Sequence, residues 1–404
     1  MARVLVIRQA FVPLDPRVKR EIDALRTDGH SIDVICRRRR DEPGRETTEH
    51  GIIRRLPGLP GRGGPLMYII QYTWFMLLAT IWVTGLHLRR GYDLVQVNTL
   101  PDTLVFAAWL PRLLGVPVVI DLHEVMPEFF ATKFGVALDH PFVRAVAALE
   151  QLSIRFSTHA VTCTDQMRDA FVARGTPAEK ITVVMNSADE RIFGPRPSPS
   201  HKKPGEFVLV CHGTIEDRYG HEEMVRAVAL LRQEIPGLRL LVFGEGAHLP
   251  AIRDLVTALS VEQNVWLSEG FVPLEELLDG ISGADVGIVA MRRDVFRDMT
   301  HCHKMFDYIA MRIPAAVSRT RAVQEYFDED CFELFEAGDA ADLARAIRRL
   351  WLEPDRRKQL VQHVSVVNEP YRWQRQELVY RAAIAAVLGE QLQRQPAEAS
   401  EEIN

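Results

Sequence analysis

ADVGIVAMRRDVFRDMTHCHKMFDYIAMRIPAAVSRT, residues 284–320, reads as an apolar strand (284–290), a charged loop, a short helix (304–311) and a second strand (313–318). In such a unit the helix start opens at the carboxyl end of the sheet, where unpaired N–H groups favour anions. Lys304 stands in the first helical turn, where the dipole disfavours a cation unless an anion is near. Asp307 follows three residues later on the same face. Together they suit a phosphate and a neighbouring ribose diol. Paired only with each other, they would be an ordinary solvated ion pair.

The same alternation continues outward from this unit. Strands are expected at 207–211, 238–243 and 265–268, with helices at 221–233 and 249–259. The first half repeats the scheme, with strands at 4–7, 32–36, 94–98, 118–121, 160–163 and 181–185 and a helix at 16–28. Strands alternating with helices predict an α/β protein with a mostly parallel, doubly wound sheet in each half. The stretch GPRPSPSHKKPGE reads as a linker. This sets domains at 1–195 and 206–370 around a linker at 196–205. Residues 371–388 form an amphipathic helix expected to return to the first domain, and the polar residues 389–404 a disordered tail.

A length of 404 residues exceeds one ordinary core. A composition 47% hydrophobic and 25% charged is that of a soluble globular protein. The net charge of -5 argues against a dedicated nucleic-acid binder. Charge is uneven: residues 1–195 hold 24 Lys+Arg against 21 Asp+Glu, the remainder 25 against 33, so the first half suits an anionic surface better. Cys36, Cys163, Cys211, Cys302 and Cys331 lack CxxC spacing and fit reduced thiols in the cytoplasm. The adjacent His301, Cys302 and His303 cannot all aim at one ion, so no metal site is read there. The chain enters a strand at once, unlike a signal peptide.

Residues 66–86, LMYIIQYTWFMLLATIWVTGL, are long and apolar enough to cross a bilayer. Strands on either side are expected in one sheet, which argues against a span. Two further readings are a helix buried in the domain and an apolar face lying on the membrane surface. The run Arg37 to Arg40, with Arg54 and Arg55, speaks for the second.

The tandem halves, the linker and the phosphate-suited helix resemble a GT-B glycosyltransferase, and the ordered motifs resemble the large family 4 of retaining enzymes. PLDPRVKREIDALRTDGHSIDVIC is similar to the family's opening helix and second strand. YDLVQVNTLPDTL and VPVVIDLHEVMPEFF match its central strands, and ITVVMNSADERIF resembles the segment that closes the first domain. HGTIEDRYGHEEMVRAVALL, GEG, GFVPLEEL and HKMFDYIAMRIPAAVS follow in family order. The resemblance implies two Rossmann-like domains facing each other across a cleft. It also implies a nucleotide-diphosphate sugar as donor, retention of anomeric configuration, no metal and no separate cofactor.

In the nucleotide half, Gly213 and Thr214 end a strand and Arg218 precedes the next helix, so backbone N–H groups and a guanidinium can reach a diphosphate. Alternatively, Arg218 pairs with Glu216 or Asp217 at the surface. Gly244 and Gly246 permit close ligand approach. Phe271 and Val272 correspond to the nucleobase contact. Of the family's two glutamates eight apart, Asp307 takes the second, ribose-binding place. The first falls at Met299, with Asp298 beside it as a stand-in. In the first half His123 corresponds to a residue bonding the donor sugar, and Asp15, Arg17, Asn98 and Glu124 lie on the acceptor side. Glu124 and Glu128 either orient an acceptor or cap a helix. Catalysis is assigned to His123, Arg218 and Lys304, the two cations stabilising the departing diphosphate. The expected activity is transfer to an acceptor hydroxyl, on a glycan or lipid-linked acceptor at the cytoplasmic membrane face, as in cell-envelope polysaccharide synthesis. A nucleotide-sugar epimerase, or a non-catalytic nucleotide-sugar binder suggested by Met299, would use the same scaffold.

Overall fold

Runs of Val, Ile and Leu unbroken by polar residues form strands covered on both faces, the pattern of parallel sheets flanked by helices. The computed structural model describes residues 1–12, 15–48, 51–59, 65–197 and 203–401, leaving aside the side chains of 65, 66, 68 and 390–401. Met1–Met185 with Gln376–Asn404 form one compact unit and Asn186–Arg375 the other. The division therefore falls before the expected linker, of which residues 198–202 lie outside the described residues.

The first unit holds β1 (Arg3–Arg8), β2 (Ser31–Arg37), β3 (Arg45–Thr48), β4 (Gly51–Leu56), β5 (Leu94–Asn98), β6 (Val118–Leu122), β7 (His159–Thr162) and β8 (Ile181–Val183). Their order is β3-β4-β2-β1-β5-β6-β7-β8, parallel throughout except for the β3–β4 hairpin. That hairpin escapes the sequence pattern because β4 carries two arginines. Both are buried: Arg54 lies 3.2 Å from Asp33, and Arg55 lies 3.3 Å from Glu42 and 2.7 Å from Glu46. They are internal ion pairs and offer nothing to a membrane, which corrects their expected surface role.

The second unit holds β9 (Phe207–His212), β10 (Leu238–Phe243), β11 (Val265–Leu267), β12 (Val286–Val289), β13 (Ala315–Ser318) and β14 (Glu333–Phe335). The order β11-β10-β9-β12-β13-β14 is parallel throughout. β14 was not expected: it has three residues and opens on Glu333, which is buried 3.0 Å from Arg345. Each sheet reverses its winding once, between β1 and β5 and between β9 and β12. Ligands of open α/β sheets bind outside the strand ends at such switch points.

Helix Trp373–Glu401 begins in the second unit and runs on as part of the first. There the Gln376 carbonyl accepts from the Met185 amide at 2.6 Å, and the Tyr380 hydroxyl donates to Gln96 at 2.6 Å. The tail from 389, expected to be disordered, continues this helix to Glu401.

Among its described side chains helix Pro65–Arg90 buries a stripe, Phe75, Ala79, Val83 and Leu86. Ile70, Trp74, Leu77 and Ile81, also three and four residues apart, are exposed. The reading of a helix buried in the domain is thus corrected: it is apolar on both sides, and one of them packs on the domain, chiefly against Asp102–Ala108. Its stretch Ile69–Arg90 is long and apolar enough to cross a membrane. However, β4 before it and β5 after it belong to the same sheet.

Candidate active site

Gly287 and Tyr308 set the position of helix His303–Ala310. A Cβ on Gly287 would lie 2.5 Å from the Tyr308 ring, and the Tyr308 hydroxyl donates to the Val210 carbonyl at 3.0 Å. The ring thus packs on bare backbone of β12 and is tied to β9. Met305, Phe306 and Ile309 bury the rest of the inner face. Lys304 and Asp307 are themselves buried, so the solvated-pair reading fails.

Lys304 reaches 3.6 Å from Cys211 Sγ, and its ammonium lies 4.9 Å from the centre of the Tyr219 ring. The Arg218 guanidinium lies 5.3 Å from the same ring and that of Arg297 5.5 Å from it. Among the described residues none of these three cations has a carboxylate within 4.0 Å. Arg218 Nε and Arg297 Nε are buried without a hydrogen-bond partner. Asp217, the surface partner considered for Arg218, is held by Arg292 at 2.6 Å. Three unpaired cations around one aromatic face at the β9/β12 switch point make a site for a compact polyanion. Arg297 and Tyr219 were not foreseen. Their only signal is Arg297's place in the charged loop before the helix and Tyr219's between Arg218 and Gly220.

The glycines join the loops around this site. A Cβ on Gly244 would lie 1.8 Å from the Gly213 carbonyl, one on Gly246 2.0 Å from that of Ile215, and one on Gly220 1.9 Å from that of Ala290. Backbone bonds from Gly213 to Phe243 (2.8 Å) and from Ile215 to Glu245 (2.9 Å) continue the β9–β10 pairing past the strand ends. Ser268 ties in the β11 end, accepting from the Gly244 amide at 2.8 Å. Close approach at Gly244 and Gly246 is thus of backbone to backbone. Gly213 keeps an open side, its nearest neighbour being the Lys304 stem. Thr214 and Phe271 are exposed and Val272 half-buried.

Asp307 faces His212, its Oδ2 being 3.6 Å from Nε2. Burial, then the Lys304 charge, holds His212 down to about 3, so the ring is neutral. Asp298 is a correction. Arg293 grips its carboxylate with bonds of 3.0 and 2.8 Å, and it also accepts from the Arg321 amide at 3.2 Å. It fastens two loops together and does not stand in for a donor-binding glutamate.

In the first unit His123 follows β6 and is buried. Its Nε2 bonds Asp121, while Nδ1 is buried without a partner. Burial and then Arg17 hold His123 down to about 4. The neutral ring donates Nε2–H to Asp121 and leaves the Nδ1 lone pair to accept from a hydroxyl. Behind it, Asn98 donates to Glu21 at 2.6 Å and to Asp121 at 2.7 Å. Burial pushes both carboxyls up. For Glu21 it prevails, reinforced by the Asp121 charge. For Asp121 the His123 ring and the bonds from Glu21 and Asn98 outweigh it.

Asn98, expected to face an acceptor, is fully buried and orients Asp121 instead. Asp15 caps helix Pro16–Thr27, accepting from the Arg17 amide at 3.2 Å, and lies 2.9 Å from Arg8 Nη2 and 3.5 Å from Arg17 Nε. Burial opposes its charge, but Arg17 and Arg8 win and its pKa falls. Arg17 and Glu124 are half-buried. Glu128 is taken by Arg174 at 2.8 Å.

Two family models match the chain. Residues 14–187 fit a glycosyl transferase 4-like domain and residues 206–353 the glycosyl transferases group 1. Over 232 residues the chain is 26% identical to a GDP-mannose-dependent alpha-(1-6)-phosphatidylinositol monomannoside mannosyltransferase of Mycolicibacterium smegmatis. That stretch covers 49% of this chain and 58% of that protein, so the match spans little more than half of the relative's length. Among solved structures, sucrose-phosphate synthase of Thermosynechococcus elongatus superposes with a TM-score of 0.74 at 19% identity, over 96% of this chain and 100% of that one. Anabaena HepE in complex with UDP-glucose superposes with a TM-score of 0.71 at 15% identity, over 96% and 100%. At these identities the likeness is one of fold.

Proposed function

Because the chain belongs to the glycosyltransferases of GT-B fold, a 4-like domain followed by a group 1 domain, we propose that it moves a sugar from a nucleotide-diphosphate donor to an acceptor hydroxyl. The observation that carries this reading is the trio Lys304, Arg218 and Arg297 around Tyr219, without a carboxylate partner among the described residues and matched in charge to a diphosphate. Helices His221–Leu231 and His303–Ala310 both start without a side-chain cap, so their first N–H groups add to the attraction. The charge that develops on the leaving diphosphate is stabilised by fixed cations and dipoles. Such a site needs no divalent ion. Asp307 is assigned to the ribose, and the loop at Phe271 and Val272 to the base.

The first unit serves the sugar and the acceptor. His123 Nδ1 accepts from a sugar hydroxyl, and Arg17 and Glu124 lie on the acceptor side. Retention of anomeric configuration without a protein nucleophile is part of the same proposal. The exposed apolar face of helix Pro65–Arg90, with Arg38, Arg39 and Arg40 exposed, suits a cytoplasmic membrane surface and a lipid-linked glycan acceptor of envelope polysaccharide synthesis.

A thermal-shift panel of nucleoside diphosphates, with and without chelator, tests the donor site. At a hundred times the dissociation constant a ligand stabilises by about 2.7 kcal/mol. The expected result is a shift for one diphosphate that survives chelation. No shift from any, or one that requires magnesium, would overturn the reading. Acceptor-dependent release of the nucleoside diphosphate separates transfer from epimerisation and from binding alone.

A further inference from the structure

Outside the donor site, Asp328, Cys331 and His363 bring one carboxylate oxygen, one sulfur and one imidazole nitrogen within 4.8 Å of one another. We propose that these three side chains bind a zinc-class divalent metal ion that clips the loop before β14 to helix Pro354–Val367. The set of oxygen, sulfur and nitrogen donors suits zinc, which in its open, water-bearing sites takes three protein ligands and keeps a fourth position for water.

The ligands come from seated elements. Cys331 is 1% exposed, and Leu360 and Val364, on either side of His363, are buried. The Asp328 carboxylate is aimed by the loop itself, Oδ1 accepting from the Asp330 amide at 2.9 Å. Its Oδ2 lies 2.8 Å from His363 Nε2. With metal bonds of about 2.0 Å in a tetrahedron, these two atoms would separate to about 3.3 Å. The two exposed side chains can absorb that half-ångström by rotation.

Charge distinguishes this cluster from that of Asp217, Glu222 and His248. There Arg292, 2.6 Å from Asp217, already occupies the cation's place. Among the described residues no lysine or arginine lies within 4.0 Å of Asp328, whereas Glu329 and Asp330 beside it are each paired, with Arg319 and with Arg356 at 3.0 Å. Binding would expel the thiol proton of Cys331 to water and take up the Nε2 lone pair of His363, so protons are released as the ion binds. The clip would also brace the donor site, because Phe327, beside Asp328, packs edge-on against Phe306 of helix His303–Ala310.

The test is a cobalt(II) titration of chelator-stripped protein without a polyhistidine tag. The expected result is a sulfur-to-cobalt charge-transfer band in the near ultraviolet that saturates at one equivalent and is displaced by zinc. Cys331→Ser should abolish the band, and His363→Ala should weaken binding at least ten-fold. Zinc should raise the melting temperature of the wild type and not of Cys331→Ser, whose metal-free melting temperature shows that it is folded. Absence of the band in the wild type, or its persistence in Cys331→Ser, overturns the proposal. Neither outcome bears on nucleotide binding, which is read separately with nucleoside diphosphates.

Discussion

Lys304 buries an ammonium against a thiol and a ring face, a placement that costs the folded protein stability unless an anion arrives. Lys304→Met should therefore leave the melting temperature of the nucleotide-free protein unchanged or higher, while abolishing the shift caused by the diphosphate. Turnover should fall about ten- to a hundred-fold, since a charge-assisted bond contributes about 1.5–3 kcal/mol. A variant with wild-type turnover would remove Lys304 from the site. Arg297→Ala should behave likewise, and a nucleotide titration with an unchanged dissociation constant would exclude it. Lys304 and Asp307 were legible in the sequence because one helix turn fixes their spacing. Arg297 and Tyr219 were not, because they meet across loops that follow β9 and β12, strands distant in the chain and adjacent only at the switch point. Asn98 and Asp298 failed for a related reason: a polar residue at a loop or strand end looks the same whether it faces a ligand or its own fold.

The loops that build the site hold their shape through backbone contacts that admit no side chain. Gly220 has φ +64 and a virtual Cβ 1.9 Å from the Ala290 carbonyl. Gly220→Ala should lower stability by at least about 2 kcal/mol, read as a shift of the urea midpoint at constant slope. A shift below 0.5 kcal/mol would mean the loops can part cheaply. Helix Pro65–Arg90 poses the opposite case, an apolar face on which Ile70, Leu77 and Ile81 are exposed. Ile81→Glu should keep the melting temperature within a degree or two and greatly reduce co-flotation with anionic liposomes. Equal flotation of variant and wild type would dispose of the membrane surface. Long apolar strands were readable from composition alone. The β3–β4 hairpin and β14 were hidden because their charges are neutralised by partners elsewhere in the chain, a pairing that no local window reveals.

Both units hold histidines that stay neutral, buried at His123, His212 and His221 and half-buried at His301: His123 is held down to about 4 and the other three to about 3, in each case by loss of solvent first. Above the unfolded value of about 6.5 these groups are neutral in both states, and their contribution to stability is complete. Below it the unfolded chain binds protons that the fold refuses, so stability falls by about 1.4 kcal/mol per pH unit for each histidine until its folded pKa is reached. The urea midpoint should therefore drop steeply between pH 6.5 and 4. His301→Phe should flatten that drop, since His301 sits among Phe306, Tyr326 and Phe327 with neither ring nitrogen bonded.

The chain's return to its first unit has an equally specific consequence. Tyr380, fully buried and 284 residues from Gln96, donates to its side-chain carbonyl, and the Gln96 amide in turn donates to Glu21 at 2.8 Å. Glu21 supports the Asp121 that orients His123. Tyr380→Phe removes one hydroxyl and leaves the Gln96 oxygen unsatisfied in the core, which costs about 1–3 kcal/mol. The loss should appear in the urea unfolding of the first unit, with nucleoside diphosphate affinity unchanged because that site belongs to the second unit. If the network also sets the histidine, the lower pH limit of turnover should move in Tyr380→Phe. A destabilised variant with an unaltered pH profile would confine Tyr380 to holding the fold.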